Sequence, residues 1–530
     1  PAARVIALAL FLIGVAVAGS ICLKVLLFWR RSGAVLAALE ERSAKIVWGA
    51  ATVYFLVFAT LALVAYSRFK YHSDLGEYNQ TLWATLNGRF FYTTVEETAQ
   101  SYLGTHISPF LLLLLPVYSL FQSPPVILVL RSLALALAAV PMFYCIRRLS
   151  GSGVAALLLS VAFLFHPEIV SQHFTSGYEV VFAAPFFLAA FYFFTEGRFA
   201  PFMLFLVLTL SVREDMVPVA FVFCVYALLK RRQAKWVLPP LVLGIVWQVA
   251  VILIFNAVIE NWMFNIYYGH FGSSPAEMIK TIVFHPVYAI EETVRLHGSY
   301  LYNLLMPESF ILPWTGLASL FALPNLAISL TKGHDFSAAA GGISHYSVIV
   351  VTALWLGLTG YIKRAQRRYR GTKREGVAAF VAVMIVVLVA SAAHLWFYYL
   401  PAREPREAAA LPAAIELIPA DGSVSTNDGR VIPRLSSRWE IYEPLIWDVI
   451  EEPERLPQGT EQLQRAEFVI LKPFGHPLYN DEGAFRFATG PESSYRLIFE
   501  QDGIRVYQRP LLGATCPLPA VEGEAGNGNR

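Results

Sequence analysis

The stretch SDLGEYNQTLW, residues 73–83, places Asp74 and Glu77 directly after a long apolar run. Two carboxylates on successive helical turns can divide work between them. One accepts a proton while the other orients a hydroxyl or a cation, as general-base chemistry requires. Further reactive groups recur at the ends of later apolar stretches. GTHISP supplies His106, and HPEIVSQHFTSGYEVVF supplies His166, Glu168, His173 and Glu179. VREDM supplies Arg213, Glu214 and Asp215, YYGHFGSSP supplies His270, and ISHYS supplies His345 and Tyr346. Charged groups at the ends of apolar spans are costly to desolvate, so they are paired, wet or functional.

Each has a plainer alternative. Ser73 and Asp74 are suited to cap a helix over 75–87, and Glu214 and Asp215 to cap a span beginning there, with a neighbouring ion pair. A single His near an interface is commonly a hydrogen-bonded structural residue. His and carboxylates together allow a divalent metal site, but no spacing here requires one.

The elements that must position these groups are membrane spans. The chain has 530 residues, 56% hydrophobic and only 15% charged, with a mean hydropathy of +0.53. Ordinary soluble domains carry about a quarter charged residues. The net charge of +3 is too small to suggest nucleic acid. No GxxxxGK[ST] loop occurs, which argues against an ATP-driven pump. Cys22, Cys145 and Cys224 lie in apolar runs and Cys516 in the tail, so no disulfide framework is expected.

Candidate spans are 5–29, 46–66, 126–146, 153–170, 178–195, 199–212, 214–230, 236–256, 347–362 and 376–400. Residues 109–122 and 301–330 are apolar but interrupted by Pro116, Pro307, Pro313 and Pro324. The span length rule therefore gives about ten to thirteen crossings. The basic clusters at 30–45, 147–148, 230–235 and 363–374 fall on one side if 109–122 does not cross. That side is expected to be cytoplasmic. All the reactive segments then face the opposite side of the cytoplasmic membrane.

Beyond residue 400 the apolar spans stop. SVST, RWEIY and FVILK read as strands, and YRLIFEQDGIRVYQRP as a hairpin turning at Asp502-Gly503. The expected organisation is N-terminal spans over 1–66, a transmembrane core with outer loops over 67–400, a small α/β domain over 401–512 and a disordered tail over 513–530. The fold class is a polytopic α-helical membrane protein with a small C-terminal extracytoplasmic α/β domain.

In that order, SDLGEYNQTLW, GTHISP, VREDM, GHFGSSP, LLMP, LPNLAISL and HYS resemble domain-of-unknown-function family 2079, membrane proteins of bacteria and archaea. The resemblance covers roughly residues 70–350. That family looks related to the GT-C superfamily, which takes a sugar from a polyprenyl-phosphate carrier on the non-cytoplasmic side. The resemblance implies a GT-C-like core and an inverting glycosyltransferase. Asp74 matches the first-loop acid and would be the general base. His106, Glu179, Arg213, Glu214, Asp215, His345 and Tyr346 would bind substrate, with Arg213 and His345 near the phosphate; Glu77 stands where the family more often has an apolar residue, and its own chemistry places it with the substrate-binding group. Where the family often shows Phe-His-Pro-Glu, this chain has Ser176-Gly177-Tyr178-Glu179, so a role resting on that His is not carried over; His173 is its possible substitute. The acceptor is a glycan, lipid or protein that these residues do not choose. A flippase for lipid-linked sugars, or a non-catalytic membrane scaffold, is the alternative in other function classes.

Overall fold

A computed structural model of the protein describes residues 33–95, 100–174, 179–258, 268–305, 311–333, 346–368, 406–443, 465–472 and 495–510. The expected spans 5–29 and 376–400 lie outside the described residues. The chain forms two compact units. One comprises 1–405 with 429–439, the other 406–428 with 440–530.

The first unit is helical. It contains α1 (Gly33–Ser67), α2 (Ser73–Leu86), α3 (Leu111–Tyr118), α4 (Pro124–Ser150), α5 (Gly153–Leu164), α6 (Pro167–Ser171), α7 (Ala183–Glu196) and α8 (Phe199–Val212). It continues with α9 (Val217–Leu229), α10 (Leu238–Val258), α11 (Pro275–Phe284), α12 (Pro286–Leu305), α13 (Leu323–Leu330) and α14 (Ser347–Arg368). Among the described residues, the stretches 37–67, 124–150, 179–196 and 234–258 are long and apolar enough to cross a membrane. Shorter apolar helices run over 153–164, 199–212 and 317–330.

Local chemistry sets the helix limits. Pro124 opens α4, and Gly151, in the left-handed region at φ 71°, closes it. The expected span 153–170 is shorter than read. α5 stops at Leu164, and Pro167, which cannot donate to a preceding turn, starts the separate α6. Residues 109–122 yield only the eight-residue α3, roughly 12 Å long, too short to cross. The interrupted 301–330 stretch becomes the end of α12, two 3₁₀ turns (Leu312–Thr315 and Leu317–Ala322) and α13. At that crossing a Cβ on Gly316 or on Gly357 of α14 would strike the other segment's backbone, so two backbones touch there as small residues permit in membranes.

The core is aromatic. Phe187, Phe191, Phe223, Tyr226 and Phe321 form a chain of ring contacts at 4.6–6.4 Å. α10 by contrast turns Val246 and Leu253 outward, each more than 60% exposed. Such a face is stable where the solvent is hydrocarbon.

One end of the bundle is basic. There the Glu40 carboxylate accepts from the Gly153 and Val154 amides at 2.5 and 2.9 Å, Arg148 pairs with Glu196 at 2.6 Å, and Arg232 donates to the Phe194 carbonyl. The other end gathers most of the reactive segments.

The second unit holds a five-stranded sheet in the order β2-β1-β3-β5-β4. Its strands are β1 (Val424–Thr426), β2 (Ile441–Tyr442), β3 (Phe468–Leu471), β4 (Arg496–Gln501) and β5 (Ile504–Gln508). The expected strands are all present. β1 runs parallel to β2 and β3, and β4 and β5 form the antiparallel hairpin. Its turn residues Asp502 and Gly503 both have positive φ, at 48° and 84°, as a tight two-residue turn demands.

Candidate active site

α2 begins at Ser73, with His72 in the capping position. Asp74 is therefore inside the first turn rather than the cap, half-buried. Glu77 stands at i+3 from it and is 3% exposed. Thr105 donates to Glu77 Oε1 at 3.1 Å, which ties α2 to the GTHISP loop.

That loop is fastened to the end of α8. Ser108 donates to the Val212 carbonyl at 2.7 Å, and the Phe110 amide to the Ser211 carbonyl at 2.9 Å. These bonds satisfy carbonyls that a helix C-terminus leaves open. Glu214 closes the junction. It accepts from the Ile107 amide at 2.9 Å and lies 2.9 Å from His106 Nδ1.

Capping was the plainer reading of Glu214 and Asp215. The structure keeps the neighbouring ion pair and corrects the cap: residues 214–216 make a 3₁₀ turn before α9, and both carboxylates are engaged by other groups. Arg213 is fully buried in extended backbone. It donates to both oxygens of Asp215, at 2.9 and 2.5 Å. Its Nε also lies 3.7 Å from Glu179 Oε1. Glu179 is held by the Tyr102 hydroxyl at 3.4 Å, and its amide donates to the Tyr78 hydroxyl at 3.3 Å. Asn325 of α13 donates to the Asp215 carbonyl at 3.0 Å.

A second cation stands nearby. The Tyr346 ring has the Arg213 guanidinium 4.7 Å and the Lys332 ammonium 3.4 Å from its centroid, at cation–π distance. Burial, and then the neighbouring Arg213 charge, push the Lys332 ammonium down to about 7. The His297 ring nitrogen Nε2 holds the Lys332 carbonyl at 2.8 Å.

Of the expected site residues, Glu77, His106, Glu179, Arg213, Glu214, Asp215 and Tyr346 are thus joined through direct contacts or one intermediate residue. Asp74 sits one helical turn from Glu77. His345 lies outside the described residues. His173 is in a separate buried cluster: its ring nitrogens face Ser132 at 3.1 Å and Tyr54 at 3.0 Å, and it stacks on Phe58. It makes none of the contacts that join the residues around Arg213. Among the described residues, no three His, Cys, Asp or Glu side chains are grouped to hold a metal ion. Sequence reasoning missed Lys332, Tyr78 and Tyr102 as site residues. For Lys332 a signal existed, a lone cation just past an apolar stretch in a segment assigned to the reactive side.

The chain also resembles solved structures. The crystal structure of ArnT from Cupriavidus metallidurans bound to undecaprenyl phosphate superposes with a TM-score of 0.52 at 13% identity, covering 88% of this chain and 100% of that one. The apo form of the same protein gives 0.46 at 14% identity, covering 87% and 98%. The first of these likenesses shows the GT-C fold. Comparison with curated proteins gives no match. The family model described as predicted membrane protein (DUF2079) matches residues 65–506, and the chain belongs to that family.

Proposed function

We propose that the protein is a GT-C-type glycosyltransferase that moves a sugar from a polyprenyl-phosphate donor to an acceptor hydroxyl on the non-cytoplasmic face of the membrane, with inversion. The observation that carries this reading is the Arg213 edge. Asp215 pins Nε and Nη2, while the buried Nη1 has no hydrogen-bond partner among the described residues. A buried guanidinium N–H is strongly driven to find an anion. Beside it, Lys332 supplies a second cation. Together they suit the phosphate of a lipid-linked sugar, and the solved GT-C structure was bound to undecaprenyl phosphate.

In this reading the acceptor oxygen attacks the anomeric carbon and its proton passes to Asp74. The bond from that carbon to the phosphate oxygen breaks, and its electron pair leaves on the phosphate. Arg213 and Lys332 stabilise that developing charge. Glu77, Glu179, Glu214 and His106 orient the acceptor and hold the loops that frame it.

The test uses purified protein in nanodiscs with a panel of polyprenyl-phosphate sugars. Donor consumption is followed for wild type and Asp74→Asn. Turnover that collapses in the folded variant supports the assignment. Equal turnover in both removes Asp74 as base, and none with any donor in the panel turns the reading toward transport or scaffolding.

A further inference from the structure

α2 is polar on two sides. Asp74 lies on one side, and Gly76, Asn79, Gln80 and Trp83 recur at i, i+3, i+4 and i+7 on the other. That second face is covered by residues 429–439, which belong to the helical unit although they are flanked in sequence by β1 and β2 of the other. β1 and β2 pair in parallel, Val424 with Ile441, so this segment is the crossover connection between neighbouring strands.

The fit is close and polar. A Cβ on Gly76 would come within 2.5 Å of Ile432 Cγ2 and 3.0 Å of its carbonyl carbon. Asn79, fully buried, donates to the Ser436 and Ser437 hydroxyls at 2.9 and 3.0 Å and accepts from Tyr118 at 2.6 Å. Gln80, also fully buried, donates to the Arg438 and Trp439 carbonyls at 3.0 and 3.2 Å. Its oxygen accepts from Thr93 and the Thr94 amide. Arg434 donates to the Tyr66 carbonyl at 2.6 Å and covers the Tyr66 and Phe69 rings where α1 ends. Trp439 packs against Trp83 at 4.7 Å and under Arg89 at 4.3 Å. Buried amides of this kind hold a unique arrangement only while every bond is made.

We infer that residues 429–439 are a positioning element of the candidate site, a clamp that fixes α2 and with it Asp74 and Glu77. The inference rests on the transferase reading. It adds that turnover depends on a crossover segment from the C-terminal region. Without the clamp, α2 keeps its helix but loses the bonds that fix its rotation. Displacing a catalytic group by about 1 Å can cost on the order of a hundredfold in rate. The phosphate-binding groups Arg213 and Lys332 lie on other elements, so donor affinity should survive.

The test is a reversible cross-link in the full-length chain. The Gly76→Cys/Ile432→Cys pair places two Cβ atoms at most about 4 Å apart, within disulfide range. Oxidised protein should carry the linked peptide and turn over donor near the wild-type rate. Reduction should release the two sulfurs from their bond of about 2 Å to the wider spacing of a non-bonded contact, which pushes the segment off α2. The expected result is a tenfold or greater loss of kcat with donor KM within twofold, restored on reoxidation. Failure of the disulfide to form under oxidation overturns the clamp, and so does equal kcat in both states. If wild type consumes no donor, the transferase reading fails and amide exchange decides the clamp. Faster exchange of residues 73–86 in the reduced state upholds it, and equal exchange overturns it.

Discussion

Arg213 is the residue whose removal should be felt most, and the structure ranks the consequences. Its guanidinium is fully buried, with Asp215 13% and Glu179 0% exposed at the side chain. Arg213→Met keeps the apolar stem and removes the charge, leaving Asp215 and Glu179 without their shared cation where there is little water. Breaking a buried pair from one side costs about 3–5 kcal/mol. Asp215→Asn removes the charge and one of the two acceptor oxygens, leaving Arg213 a single bond to the amide oxygen, with Glu179 at 3.7 Å, beyond hydrogen-bond reach. A charge-assisted hydrogen bond contributes about 1.5–3 kcal/mol, which bounds that loss. Glu179→Gln should cost less than about 1 kcal/mol, because its contacts with Tyr102 and Arg213 are long and the bidentate pair survives. The assay is equilibrium unfolding in mixed micelles for the three variants and wild type. Arg213→Met within about 1 kcal/mol of wild type, or Glu179→Gln costlier than Asp215→Asn, would refute the reasoning that Asp215 is the principal partner.

Three further outcomes are expected. Lys332 is cationic below about 7 and neutral above, so affinity for a phosphodiester-linked donor should fall as pH rises from about 6 to about 8. The fall should approach tenfold per unit above that value and vanish in Lys332→Arg, which stays charged; flotation of donor vesicles at each pH measures it. Glu214→Ala should loosen the 105–108 loop by removing the acceptor of the Ile107 amide and the partner of His106, seen as faster amide exchange at Ile107. At the opposite end of the bundle, Glu40→Ala should cost about 0.5–2 kcal/mol in the same unfolding assay, because the carboxylate caps α5, while donor turnover stays at the wild-type level.

What the sequence made legible was local. The Asp502-Gly503 hairpin, the Pro124 start and Gly151 end of α4, and the apolar spans all follow from propensities acting within a few residues. Partners were harder to read. Asp74, Glu214 and Asp215 looked like caps because capping is the nearest use for an acid at a helix start. Asp74 instead lies inside the first turn, and the partners of Glu214 and Asp215 were a loop amide, a histidine and a buried arginine. The 429–439 segment was hardest to read, because IPRLSSRW carries no periodicity and sits in a region whose composition marks it as a separate domain. Yet α2 itself held the clue. In a membrane-embedded chain a helix cannot leave Asn79 and Gln80 buried on one side and acids on the other without a polar partner for each. The acid side found the GTHISP loop through Glu77. The amide side required further carbonyls and hydroxyls, and a segment from outside the apolar spans offers most of them. A helix polar on two faces in an apolar chain therefore signals two docking events, one of which builds the site and the other of which holds it still.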